Sequence, residues 1–166
     1  YKIGEAWTKR KGEWNGVRDW AVGQGVAAVN LLDLVGDEQA GWKGIFPELV
    51  MFDCHACHKL MSGNQWGPRP GTGLGPGVVR LNDANMLMFR HVLAPVDKAA
   101  ASRIGEQIRA LHRATTESRS ATMAAAARLR ASIESLLPTV SAFNYGPESL
   151  DVILSSIQAD AERGEY

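Results

Sequence analysis

The stretch Asp53-Cys54-His55-Ala56-Cys57-His58 holds both cysteines of the chain, and its spacing, Cys-x-x-Cys-His, is the attachment signature of c-type haem. Each residue type has a chemical reason to be there. Two thiols three positions apart on one helical turn can each add to a vinyl group of one porphyrin, and His58 then presents its imidazole to the iron. The expected cofactor is haem c with its iron, held by Cys54, Cys57 and the proximal ligand His58. Two other chemistries use similar residues. A Cys-x-x-Cys redox pair needs no following histidine and usually accompanies a βαβ pattern, which is absent here. A structural zinc ion takes four ligands, and Cys54, His55, Cys57 and His58 are too crowded to surround one ion tetrahedrally.

The elements that must position this motif read as helices. From Trp14 to Leu34, apolar residues fall at Val17, Trp20, Ala21, Ala27, Ala28, Leu31 and Leu32, a helical spacing that persists through Gly23 and Gly25. Glycine on that face lowers helix propensity, so close approach of a neighbouring helix or of a flat porphyrin is expected there. Asp37 to Phe46 reads as loop. Pro47 and Glu48 suit a first helical turn, so a second helix is expected to run through Leu49, Val50 and Phe52, with the cysteines near its C-terminal end. Ser62 to Gly77 is rich in glycine and proline and cannot be regular helix. There Trp66 is a candidate to pack on the haem and Arg69 to reach a propionate.

Helical period returns after Leu81. Asn82 or Asp83 can cap a helix whose stripe is Ala84, Leu87, Met88, His91 and Val92, with a stop at Pro95. Asp97 starts another, with Ala101, Ile104, Ile108, Leu111 and His112 on one face, reaching about Thr116. Ser118 and Ser120 read as a break or a cap, and Met123 to Leu137 forms an alanine-rich helix ended by Pro138, followed by a loop from Thr139 to Gly146. Pro147 and Glu148 open the last helix, with Leu150, Val152, Ile153, Leu154 and Ile157 as its stripe. No alternating β pattern is found. The expected fold is all-α, a helical bundle of about five helices with a long Gly/Pro loop, built as a single domain around a covalent haem.

Composition sets the partners. The chain has 166 residues, of which 45% are apolar, and 18 basic residues balance 18 acidic ones. Neither nucleic acid nor an anionic membrane is an expected partner. No apolar run approaches the roughly 18 residues that span a bilayer. Lys9, Arg10 and Lys11 beside Trp7 read as a solvated edge. Covalent haem of this kind is fitted outside the cytoplasm, so a periplasmic or otherwise exported bacterial protein is expected. The chain begins at Tyr1 without a leader, so an export signal is expected to have been removed or to lie upstream.

The second axial position of the iron has few candidates. Met51 and Met61 lie too near His58 to reach the opposite side of the ring, and His55 points away from His58 on a helix. His91 and His112 remain, each on an apolar stripe, with Met86, Met88 and Met123 behind them. His112 is preferred because Arg109 and Arg113 flank it and can neutralise propionates, whereas His91 has only Arg90.

The segments 11–24, 52–58, and 73–77 through 80–83 resemble the C-terminal part of multihaem c-type cytochromes related to cytochrome c554. The resemblance spans about the first two thirds of the chain, and its chemically specific part is the haem motif. It implies electron transfer rather than substrate chemistry, mostly bis-histidine ligation, and further haem domains. This chain departs from such relatives in having one motif, as a piece of a longer cytochrome or a reduced relative would. The expected function is a haem domain that carries electrons to a redox partner protein. The alternatives are a haem enzyme or small-ligand sensor with an open sixth position, and a structural domain of a larger multihaem assembly.

Overall fold

A computed structural model describes residues 4–12, 14–39, 48–54, 71–75 and 78–163. Within them the chain forms six α-helices: α1 (Glu5–Lys11), α2 (Gly16–Gly36), α3 (Ala84–Val96), α4 (Lys98–Thr115), α5 (Arg119–Ala142) and α6 (Pro147–Glu162). The all-α expectation holds, with no strand among the described residues. No described helix is long and apolar enough to cross a membrane. Short polar side chains start the main helices by accepting orphan backbone N–H groups. Asn15 accepts from Arg18, Asp97 from Ala100 and Ser118 from Ala121.

Helix α3 is central and packs against α2, α4 and α6, while α2 and α4 both lie along α5. The core is built from Ala28 and Leu32 of α2, Met86, Phe89 and Val92 of α3, Ile104, Ile108 and Leu111 of α4, and Leu129 and Ile133 of α5. Thr122 ties α4 to α5, its buried hydroxyl standing 3.0 Å from the carbonyl of Ala114 and 2.9 Å from that of Ser118. Helix α1 buries nothing, as expected of a solvated basic edge.

Several expectations are corrected. In α2 the buried stripe is Ala21, Gly25, Ala28, Val29, Leu32 and Val35, and Trp20 is exposed. In α3, Met86, Phe89 and Leu93 are buried where Leu87 and Met88 were expected. Pro95 does not stop α3, because a proline this near the C-terminus removes a single hydrogen bond, and Asp97 N–H still donates to Leu93 at 2.8 Å. Pro138 likewise lies inside α5, which continues to Ala142, so the loop expected from Thr139 begins later. Burial of Val140 outweighs the proline there, and the Tyr145 hydroxyl donates to the Val140 carbonyl at 3.2 Å, closing a group that a helix end leaves open. In α6 only Ile153 of the expected stripe is buried, and Val152 and Leu154 face solvent.

The largest correction precedes the cysteines. Residues 49–53 are not the expected α-helix but one 3-10 turn, Leu49–Met51, followed by an antiparallel bridge between Phe52 and Leu81, and helical conformation is taken up at Cys54. Asp53 N–H donates to Arg80 at 3.0 Å and Asn82 N–H to Met51 at 2.8 Å. Leu49 and Val50 are 74% and 78% exposed while Met51 is buried. Three apolar residues in a row therefore give no helical face, and after the single 3-10 turn the backbone pairs with 80–82.

Gly25 is where the glycine-rich face of α2 is used. A Cβ there would stand 2.6 Å from Leu137 and 2.7 Å from Phe89, whereas one at Gly23 meets nothing. The close approach is to α5 and α3. Gly25→Ala is expected to destabilise the protein by about 1–3 kcal/mol through overpacking. Gly23→Ala should be neutral or stabilising by up to about 1 kcal/mol. Denaturant titration of the two variants checks the contrast.

Tyr145 gives the fold a pH signature. Burial pushes its phenol up from 10.0 to about 12. The folded state therefore holds this proton after the unfolded state has lost it, so the stabilisation is intact below pH 10 and is lost as pH rises through about 12. Melting curves at rising alkaline pH should show that loss in the parent protein and a smaller one in Tyr145→Phe.

Candidate functional site

Of the motif, Cys54 lies within the described residues, with an exposed, free thiol. His55, Cys57 and His58 lie outside them, as do Met61, Trp66 and Arg69. What is described is how the chain leading into Cys54 is held.

Asp53, the residue before Cys54, is fastened twice to the turn before α3. Its N–H donates to the Arg80 carbonyl, and its carboxylate accepts from Arg80 Nε at 3.1 Å. Arg80 Nε also lies 3.7 Å from Asp83 Oδ1, an ion-pair distance rather than a hydrogen bond. The other oxygen of Asp83 stands 2.9 Å from His112 Nε2. Asp53, Arg80, Asp83 and His112 thus form a relay from the root of the cysteine motif to the last turn of α4. Three of the four are buried, and Asp53 is nearly so.

Asp83 shows why the relay forms. It occupies the N-cap position of α3, as the sequence suggests, yet its side chain makes no capping bond. Capping typically contributes about 1 kcal/mol. Here the carboxylate turns instead toward two groups that would otherwise be charged or polar and buried without compensation, and that demand is larger. Asn82 is left to approach Ala84 N–H, at a long 3.5 Å.

The two candidate histidines have different surroundings. His91 is claimed on both sides by the seam between α3 and α6. Its Nδ1 is 2.7 Å from the Ser156 hydroxyl, and its Nε2 is 3.4 Å from both Asp160 Oδ2 and Arg90. Asp160 is also paired with Arg90 and Arg163. His112 is 0% exposed, and with Nε2 on Asp83 its Nδ1 is buried with no hydrogen-bond partner among the described residues. A carboxylate on one ring nitrogen with the other left open is the arrangement of a metal-ligating histidine and its orienting group. On that ground the donor set suits an iron ligand at His112 better than at His91.

The described part of the Gly/Pro segment is a turn over residues 71–75. Thr72 and Leu74 are buried, and Leu74 N–H donates to the Thr72 hydroxyl at 3.2 Å. Gly73 has φ +69°, which favours glycine, and a Cβ there would come within 3.6 Å of the Arg113 guanidinium. This turn therefore lies near the side chain of Arg113, in the last turn of α4. Among the described residues no group of three or more histidine, cysteine or acidic side chains is placed to hold a metal ion.

Sequence reasoning brought out Cys54, His91 and His112 but not Arg80, Asp53 and Asp83 as partners. Asp83 and His112 are 29 residues apart and Asp53 and Arg80 are 27 apart, so no local spacing marks them. Fold and site together define an all-helical protein whose thiol-bearing segment is seated on a buried ion-pair relay. The chain matches no family model, no curated protein and no solved structure.

Removing the shared carboxylate should be costly. Asp83→Ala takes the carboxylate from buried His112 and one of its two carboxylates from Arg80, and is expected to destabilise the fold by about 3–5 kcal/mol. Asp83→Asn, which can still accept from His112, should lose less; denaturant midpoints of both variants check the order.

Proposed function

We propose that this is an exported c-type cytochrome domain that passes single electrons to and from a redox partner protein through one covalently attached haem. The observation that carries this reading is the Cys-x-x-Cys-His spacing at 54–58, entered through a backbone segment pinned by Asp53 and Arg80. Cys54 and Cys57 would hold the porphyrin as thioethers, and His58 would be the proximal ligand. The bound iron supplies a one-electron couple whose potential its axial ligands set within a range of roughly 0.8 V.

The chain's own contribution is to orient and insulate. Asp83 holds His112 Nε2, which directs Nδ1 as the atom available to iron. His112 is accordingly our second axial ligand, ahead of His91. Bis-histidine ligation places the potential toward the low end of its range.

A second reading is favoured by one observation: His112 is completely enclosed and His91 is engaged at both nitrogens. If neither reaches the iron, the sixth position is open to a small ligand or is filled from elsewhere in a larger multihaem assembly, where this domain would have a structural part.

An absorption spectrum of protein matured with haem separates the readings. Low-spin bands in both oxidation states in the parent, turning high-spin in His112→Ala and unchanged in His91→Ala, are expected. High-spin bands in the parent would favour the open site. Low-spin bands indifferent to His112→Ala would remove His112 from the iron.

A further inference from the structure

We propose that Arg80 is the positioning residue for the haem-bearing segment, and that it also balances the charge of Asp53 beside the first thioether. This rests on the haem reading above but not on His112 being a ligand.

Three observations converge on Arg80. Its backbone carbonyl accepts from Asp53 N–H in the bridge that ends at Cys54. Its guanidinium donates to Asp53 Oδ2 at 3.1 Å. It also lies against Asp83, which His112 fastens to α4. Cys54 itself is exposed and the preceding Leu49 and Val50 are in solvent, so the apolar hold on this stretch is confined to Met51 and Phe52. Beside these two apolar anchors, the Asp53–Arg80 pair, largely buried, holds the residue that precedes Cys54. Arginine suits the role because its planar fork remains charged when buried and can address two carboxylates.

The pair also has an electrostatic consequence. A carboxylate near iron favours the oxidised, more positive state, and a cation favours the reduced state, with little screening where water is excluded. Arg80→Met removes the cation that faces both Asp53 and Asp83 and should lower the reduction potential. Asp53→Asn leaves the Arg80 cation less compensated and should raise it. A role confined to holding the fold together gives no reason for shifts of opposite sign.

The test uses the full chain matured with haem, in parent, Arg80→Met and Asp53→Asn forms. Potentiometry reads the two shifts, and hydrogen exchange reads the amides of Asp53 and Asn82, which close the bridge. Asp53→Asn leaves Arg80, Asp83 and His112 in place, so its helices should stay intact even if Arg80→Met folds poorly. Exchange at the two bridge amides should quicken about tenfold or more in both variants, as expected for losing a hydrogen bond between charged groups. Opposite potential shifts together with faster bridge exchange establish the role. Unchanged bridge exchange, or potentials that stay fixed or move in the same direction, overturns it. A parent protein without covalent haem overturns the haem reading instead, and the bridge amides then still report whether Arg80 holds the segment.

Discussion

A single carboxylate ties the bundle to the motif. Asp83 stands between His112 in the core and Arg80 at the edge, and through Arg80 it reaches the residue that precedes Cys54. Buried charges are tolerated when each has a partner, and removal of one member exposes the rest to the full desolvation penalty. The relay therefore behaves as a unit. It joins segments far apart in sequence.

The rest of the fold supplies the rigid frame against which such a relay has meaning. Helices α2 to α5 interlock through small residues, most tightly at Gly25, and their core is aliphatic with Phe89 at its centre. Helix α6 is attached differently. It buries only Ile153 and Asp160, and its hold on α3 is a polar seam of Ser156 and Asp160 against Arg90 and His91. Two histidines that look alike in the sequence thus serve different ends. His91 fastens a peripheral helix, and His112 terminates the relay beneath the cysteine segment.

Much of the fold was legible in the sequence because it rests on local rules. The caps Asp97 and Ser118, the opening Pro147 and the face of α4 through Ile104, Ile108, Leu111 and His112 follow from spacing and capping chemistry. Errors arose where tertiary contacts override propensity. Pro138 is carried inside α5 by the burial around Val140, and Leu49 to Asp53 pairs with a distant strand-like segment although it opens like a helix. The motif residues were plain from type and spacing. Their supports were not: Asp83 reads as a cap, Arg80 as one of many basic residues, and only the folded chain brings them together.

The claim on which the functional account depends is that Cys54 and Cys57 carry a haem. The most direct test is mass spectrometry of the intact protein after maturation, followed by proteolysis and sequencing of the modified peptide. The account predicts one haem adduct that survives acid-acetone extraction and maps to the peptide holding Cys54 and Cys57. An unmodified chain, or haem that extracts freely and leaves both thiols unmodified, would contradict it.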